Sequence, residues 1–412
     1  MILQSNPSIT AFARTNFRNH RKVFGIKQPD RLSHLYCIGK TGTGKTTLIE
    51  TMIRQDLAHG QGFAIIDSHG DLAEKLLENV PENRKGDLVY FNVPDKSNVL
   101  GFNPLAQVPP ERRALAASGL VEAFKKIWSD SWGPRLEHIL RNAFLALLEQ
   151  PMSTLADVLR LLVDEGYRRN VALRVSNLQV RSFWLGEFER YPAKFRQEAI
   201  APIQNKVGAF LSDPRIYAIL TQPRSAFDLR EIMDQGKILL VNLAKGKMGE
   251  DTAALMGALL VSSIGLAAFS RADMPEKDRS DFFVYLDEFQ NFTTLSLANM
   301  LSELRKYHVG LILAHQYLSQ LDLQVRDAIL GNVGTIISFR LGLTDAEMLE
   351  REFYPVFSAN DLIRLPNYHI YLKLMIDGVV SEPFSGETLK TRSNHYLGAN
   401  HQGRPRFWET EG

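Results

Sequence analysis

The sequence predicts an α/β fold with a mainly parallel β-sheet and an all-helical insertion. Three observations predict it: short apolar runs that alternate with helix-length segments, a central stretch where that alternation stops, and a glycine-rich loop directly after the first of these runs. At 412 residues the chain is long enough for a large core and more than one structural unit.

The apolar runs have the length and composition of strands. They are rich in β-branched and aromatic residues and lie at Leu35–Ile38, Phe63–Ile66, Leu88–Val93, Ile238–Leu243, Phe282–Leu286, Leu311–Ala314 and Thr335–Phe339. Helix-length segments separate many of them. Short apolar strands that alternate with helices are typical of a parallel sheet covered on both faces.

The central stretch has helical spacing instead. Leu136, Ile139, Leu140 and Ala143 recur at intervals of three and four residues, which places an apolar stripe on one face of a helix. We therefore expect an all-α insertion at 110–225 between two strands of the α/β core.

The remaining boundaries follow from composition. The core is expected at 31–109 and 226–390. Residues 1–30 carry many basic and few apolar side chains and are expected to form an N-terminal arm. Residues 391–412 are rich in Asn, Gly, Arg and His and are expected to be a flexible tail.

Composition restricts the class of protein. Hydrophobic residues make up 45% and charged residues 23%, as in average globular proteins, so disordered and fibrous classes are excluded. The single cysteine, Cys37, excludes a disulfide framework and fits a reducing compartment.

The first thirty residues are polar and basic rather than apolar, so a cytoplasmic location is expected. Residues 251–271 approach the length of a membrane span, but a helix buried against the sheet is the favoured interpretation.

A phosphate-binding loop runs from Gly39 to Thr46, with the sequence Gly-Lys-Thr-Gly-Thr-Gly-Lys-Thr. Glycines at 39, 42 and 44 let backbone N–H groups turn inward, and the helix that follows presents its positive end to an anion. Lys45 is expected to neutralise the β- and γ-phosphates of ATP, and the Thr46 hydroxyl to bind Mg²⁺. The expected nucleotide-binding residues are Gly39, Lys40, Thr41, Gly42, Thr43, Gly44, Lys45, Thr46 and Thr47.

Two acids close the strand Phe282–Leu286. Mg²⁺ beside a phosphate loop needs a carboxylate opposite the threonine hydroxyl, and Asp287 is expected to supply it. Glu288 is expected to act as the general base on the attacking water. Adjacent acids favour nucleotide hydrolysis over transfer to another acceptor.

Four further polar residues are candidates. Gln316 follows the strand Leu311–Ala314 and could sense the γ-phosphate or orient water. Asp67 could contact the metal shell or nucleic acid, or cap the following helix. Arg305 and Arg340 are candidate cations acting on phosphate.

Together these motifs resemble the HerA/FtsK superfamily of ring ATPases, and among them the conjugative coupling proteins of TraG/TraD type. The resemblance covers roughly 31–387. It is carried by Gly39–Thr46, Ile66–Asp71, Trp132–Asn142, Leu286–Phe292, Ala314–Gln316, and Gly331–Thr335 leading into Phe339–Arg340.

The resemblance implies a RecA-like motor domain that works as a homo-hexameric ring around DNA, bound without sequence specificity. It also implies that an arginine eleven residues before the sensor glutamine reaches the neighbouring subunit's site, and here that residue is Arg305. A relaxase or a secretion channel is the implied partner. No transmembrane helix precedes the phosphate loop, so recruitment to a membrane would be peripheral.

Three functions are compatible with these residues. The first is an ATP-driven DNA translocase of conjugative-coupling type. The second is a type IV secretion ATPase that powers protein transport or apparatus assembly. The third is a nucleotide switch without motor activity, which the acid pair and the candidate arginine disfavour.

Overall fold

The computed structural model describes residues 8–106, 108–129 and 132–389, so the tail expected at 391–412 lies outside the described residues. The strands are β1 (Ile9–Thr15), β2 (Val23–Lys27), β3 (Leu35–Ile38), β4 (Gly62–Asp67), β5 (Leu88–Asn92), β6 (Ile238–Asn242), β7 (Phe282–Asp287), β8 (Val309–His315), β9 (Thr335–Ser338), β10 (His369–Lys373), β11 (Met375–Ile376), β12 (Val379–Val380) and β13 (Phe384–Thr388).

The helices before β6 are α1 (Gln28–Arg31), α2 (Lys45–His59), α3 (Asp71–Leu77), α4 (Arg113–Ile127), α5 (Pro134–Leu147), α6 (Ala156–Val163), α7 (Glu165–Arg174), α8 (Leu178–Ser182), α9 (Ala193–Leu211), α10 (Pro214–Leu220) and α11 (Leu229–Asp234). Those after it are α12 (Lys245–Met248), α13 (Glu250–Ser270), α14 (Leu295–Leu301), α15 (Leu323–Asn332), α16 (Leu343–Phe353) and α17 (Ala359–Arg364).

One large sheet organises the molecule. Its eleven strands lie in the order β2-β1-β13-β10-β9-β3-β8-β7-β4-β6-β5. The seven from β9 to β5 are parallel, whereas β10, β13, β1 and β2 pair antiparallel at the other end. The predicted α/β class with a mainly parallel sheet is confirmed.

Both faces of the parallel region are covered, which explains the continuous apolar runs. In β3, Leu35 and Cys37 pack on one face with α2, and Tyr36 and Ile38 pack on the other. All four side chains are buried. The parallel strands therefore end together at one edge of the sheet, where the loops after β3, β7 and β8 meet.

The N-terminal region differs from the expected arm. Residues of β1 pair with β13 and with β2, and Phe12 and Ala13 are fully buried. The Gln55 side chain also bonds the N–H and C=O of Ala11, at 2.8 and 2.6 Å. Long-range pairing with β13 thus makes most of residues 9–27 part of the sheet, despite their basic composition.

Every described element between β5 and β6 is helical. Its first long helix, α4, packs tightly on the core: a Cβ placed at Gly119 would lie 2.1 Å from Oγ of Ser262 in α13. The N–H of Ser296, at the start of α14, donates to the Glu122 carboxylate of α4. The insertion is therefore in direct contact with the elements that follow β6 and β7.

Among the described helices, one is long and apolar enough to cross a membrane. It is α13, counted together with the turn that follows it as Glu250–Asp273. Of its most apolar window, 72% is buried inside the protein. A helix covering a sheet passes the same length and composition test, so this is weak evidence for a membrane span.

Candidate functional site

The phosphate loop links β3 to α2 in the expected way. Gly42 and Gly44 have φ of +76° and +124°, a region that L side chains rarely adopt. Lys45 is buried, and its Nζ donates to the carbonyl oxygens of Gly39 at 2.5 Å and Lys40 at 3.2 Å. The loop is thus wrapped around its lysine, with α2 beginning at that residue.

The acid pair lies opposite the loop. Strand β8 separates β3 from β7, so the ends of those two strands are about 10 Å apart, enough for a phosphate group. The Thr46 Oγ1 donates to Oδ2 of Asp287 at 3.2 Å. Threonine hydroxyl and carboxylate oxygens are ligands that Mg²⁺ prefers.

The Asp287 carboxylate is in an environment that favours a cation. Burial, followed by the charges of Glu288 and Asp67, raises the pKa of Asp287 to about 6, although Lys45 and the Thr46 hydroxyl act in the opposite direction. A bound divalent cation would offset this unfavourable burial of negative charge.

No cluster of three His, Cys, Asp or Glu suited to a metal occurs among the described residues. Mg²⁺ at a phosphate site needs only one or two protein ligands, so the pair Thr46 and Asp287 fits it.

Glu288 and Gln316 lie close together at the ends of β7 and β8. Glu288 is buried and has left-handed backbone angles, φ 53° and ψ 45°. Gln316 Nε2 donates to Glu288 Oε1 at 2.6 Å, and its Oε1 accepts from Thr41 Oγ1 at 2.7 Å. Gln316 therefore bridges the phosphate loop and the acid pair.

Three other residues support this site, and sequence reasoning missed all of them. Gln290 Nε2 donates to the second Glu288 oxygen at 2.6 Å. The N–H of Tyr368 donates to the Thr43 carbonyl at 2.8 Å, and a Cβ placed at Gly44 would lie 2.9 Å from the Tyr368 ring. A Cβ at Gly39 would meet Phe339 at 2.5 Å. Gln290 stands inside the acidic motif Leu286–Phe292 and Phe339 begins the motif Phe339–Arg340, whereas no local pattern marks Tyr368.

His315 precedes Gln316 and is fully buried between aromatic rings. The ring centroids of Tyr36 and Phe289 lie 5.4 and 4.8 Å from it. Burial, with the charge of Lys45, lowers the pKa of His315 to about 3. The imidazole is therefore neutral at physiological pH and contributes packing rather than charge behind the sensor glutamine.

The two alternatives for Asp67 are separated by its contacts. Its carboxylate accepts from the backbone N–H groups of His69, Leu72 and Ala73 at 2.9, 2.9 and 3.0 Å. Asp67 therefore caps α3 and satisfies the free donors of its first turn. It reaches the site through its charge, which contributes to the raised pKa of Asp287.

The two candidate arginines lie at opposite ends of the parallel strands. Arg340 follows β9 beside the phosphate loop, where its carbonyl accepts from the Lys40 N–H at 2.9 Å. Arg305 is exposed and precedes β8, whose seven residues span roughly 20 Å. Arg305 is therefore not brought to the phosphate loop of its own chain.

Four arginines of the central helical stretch, Arg168, Arg169, Arg174 and Arg181, form a basic cluster in the sequence but differ in their surroundings. Arg168 is buried, and its Nε donates to Glu189 at 2.6 Å. Arg181 donates twice to the Val175 carbonyl. Arg169 and Arg174 are exposed. Half of this cluster thus holds the insertion together.

Solved structures share this fold. The plasmid coupling protein TrwB with ADP and Mg²⁺ is 16% identical with a TM-score of 0.65, and the match covers 98% of each chain. The unbound bacterial conjugative coupling protein TrwBΔN70 is 15% identical with a TM-score of 0.63, covering 91% of this chain and 88% of that one. VirB4 of Thermoanaerobacter pseudethanolicus is 13% identical with a TM-score of 0.61, covering 93% and 96%.

The family comparison is more specific than the fold. No curated protein matches the sequence. The model of the type IV secretion-system coupling protein DNA-binding domain, in contrast, matches residues 22–352, which include the phosphate loop, the insertion and the acid pair. The chain therefore belongs to the family of type IV secretion-system coupling proteins, as its resemblance to conjugative coupling proteins predicted.

Proposed function

We propose that the protein is an ATP-driven DNA translocase of conjugative-coupling type, which hydrolyses ATP at the subunit interfaces of a hexameric ring. The observation that carries this proposal is the convergence of Lys45, Thr46, Asp287, Glu288 and Gln316 at one edge of the sheet. The TrwB structure with ADP and Mg²⁺ supports the same nucleotide and ion here.

Each side chain has a role in this proposal. Lys45 leaves the loop carbonyls to neutralise the β- and γ-phosphates, and Thr46 and Asp287 would hold Mg²⁺. When bound, Mg²⁺ would offset the charge that develops on the phosphate oxygens. Glu288 takes a proton from the water that attacks the γ-phosphorus, while the bond to the bridging oxygen breaks and ADP leaves with its electron pair. Gln316 turns its amide towards the γ-phosphate.

The proposed domain division assigns nucleotide chemistry and DNA contact to different parts of the chain. We propose that 31–109 and 226–390, together with the sheet strands β1 and β2, form the motor and that 110–225 form the inserted domain. The contact between Glu122 of α4 and the Ser296 N–H of α14 joins the two parts close behind the acid pair. Movement at the acid pair can therefore reach the insertion through α14.

The test is the steady-state ATPase activity of the purified protein with and without DNA, at low and moderate salt. We expect DNA to stimulate hydrolysis and added salt to weaken that stimulation, because non-specific binding depends on phosphate contacts. A rate of ATP hydrolysis that DNA does not change at either salt concentration would favour a secretion ATPase that moves polypeptides. A wild-type protein that binds ATP but never hydrolyses it would indicate a nucleotide switch.

Arg305 is proposed to complete the site of the neighbouring subunit. The phosphate loop of the same chain lies at the opposite end of the parallel strands, so distance excludes action of Arg305 within its own chain. Arg305→Ala should lower turnover by about 10³-fold or more, the usual effect of losing such an arginine.

Mixed rings test this role directly. Arg305→Ala subunits keep an intact phosphate loop, and Lys45→Ala subunits keep Arg305, so equal mixing should restore activity at about a quarter of randomly formed interfaces. Lys306→Ala, which removes an exposed cation from the same edge, is the control and should retain full activity. Mixtures whose activity is only the average of the two inactive variants would contradict action across the interface.

A further inference from the structure

The two oxygens of the Glu288 carboxylate have separate hydrogen-bond donors. Gln316 Nε2 donates to Oε1, and Gln290 Nε2 donates to Oε2, each at 2.6 Å. Glu288 is 8% exposed and Gln290 is 9% exposed, so the carboxylate is largely removed from water. A buried carboxylate depends on such donors, and each of them also restricts its orientation.

The two donors differ in what else they contact. Gln316 follows the end of β8, is half-buried, and accepts a hydrogen bond from Thr41 in the phosphate loop. Its contacts therefore depend on the part of the loop that a nucleotide would reach. A glutamine that must turn to the γ-phosphate cannot also hold Glu288 throughout the cycle.

Gln290, in contrast, is attached to the core. It lies in a short 3₁₀ turn, Phe289–Asn291, between Phe289 and Phe292, which are both fully buried. Its carbonyl accepts from Thr293 Oγ1 at 3.1 Å, just before α14 begins. Its described contacts are with Glu288 and Thr293, so a nucleotide on the phosphate loop would not touch Gln290 directly.

We infer that Gln290 is a positioning residue for Glu288, an inference that rests on the hydrolytic function proposed above. Gln290 holds Oε2 in every nucleotide state. Oε1 is released when Gln316 turns to the γ-phosphate, and it becomes the oxygen that accepts the proton of the attacking water. The left-handed backbone of Glu288 and the bond to Gln290 together aim that oxygen.

The test compares Gln290→Ala and Gln290→Glu with the wild-type protein. Loss of the donor should lower kcat by roughly tenfold to a hundredfold, because small misplacement of a catalytic group has effects of this size. KM for ATP and the Kd of a non-hydrolysable analogue should stay within about twofold, since Gln290 does not touch the nucleotide. Gln290→Glu preserves the size but places a carboxylate beside Glu288, and should lower kcat at least as far.

Two controls separate positioning from a structural role. Gln55→Ala removes another buried glutamine, which bonds the Ala11 backbone far from the acid pair, and should leave kcat unchanged. In a Glu288→Gln background, Gln290→Ala should cause no further loss of kcat, because the group that it positions is already inactive.

The outcomes against this inference differ from those against the proposed function. Wild-type kcat in Gln290→Ala, or an equal loss in the Glu288→Gln background, would overturn the positioning role while wild-type hydrolysis still stands. Full turnover by Glu288→Gln alone would overturn the hydrolytic assignment itself. Thermal unfolding of each variant shows whether it is folded, and the isosteric Gln290→Glu serves if the alanine variant is not.

Discussion

Lys45→Ala is expected to weaken ATP binding about a hundredfold and to reduce turnover by a factor of 10³ or more. A buried ammonium that contacts phosphate contributes on the order of 3 kcal/mol, which corresponds to about two powers of ten in affinity. Turnover falls further because the same charge stabilises the transition state. In this structure Lys45 also bonds the Gly39 and Lys40 carbonyls, so its removal loosens the loop itself.

Titration with a fluorescent ATP analogue and steady-state phosphate release measure these two effects. Lys85→Ala is the matched control, because Lys85 is exposed and pairs with Glu82 in the same short turn before β5. Wild-type affinity in Lys45→Ala would refute the location of the nucleotide on the loop Gly39–Thr46.

Glu288→Gln should bind ATP at least as well as the wild-type protein and lose about 10²- to 10⁴-fold in kcat, the range for general-base catalysis. The substitution keeps the size of the side chain and removes one negative charge beside Asp287. That change should favour phosphate binding, since the Glu288 charge already raises the pKa of Asp287. The variant cannot take up the proton of the attacking water.

Nucleotide affinity and single-turnover hydrolysis should be measured on the same preparation, so that binding and chemistry are separated. Glu50→Gln is a suitable control because Glu50 is also buried and has two partners, Arg54 and Lys75, away from the phosphate loop. If Glu288→Gln turned over at the wild-type rate, the general base would be another group.

Much of the motor could be predicted because its signals are local. The phosphate loop needs glycines within a few residues of a lysine and a threonine, and the acid pair needs only an apolar strand before it. The predicted strands from Leu35 to Thr335 all occur in the sheet, since a parallel sheet buried on both faces requires continuous apolar runs. The roles of Gln316 and Arg305 stay predictions, although the structure places the first beside Glu288 and the second far from its own loop.

Basic composition was a poor guide to position. Arg14 pairs with Glu387 in the sheet, at 2.9 Å, and Arg168 is buried against Glu189. An arginine side chain can pair with a carboxylate inside the protein as readily as it binds phosphate. The sequence does not show which arginines meet a carboxylate from a distant part of the chain.

By itself, the sequence determined the α/β class, the phosphate loop, the acid pair and the family, because the signals for each of them lie in short stretches of neighbouring residues. Only the tertiary structure decided that residues 9–15 join the sheet, that Tyr368 packs on the phosphate loop, and that Gln290 and Gln316 divide the oxygens of Glu288. The first two join segments more than three hundred residues apart. The last depends on side-chain directions at a left-handed turn. Neither kind of contact leaves a period or a spacing in the sequence.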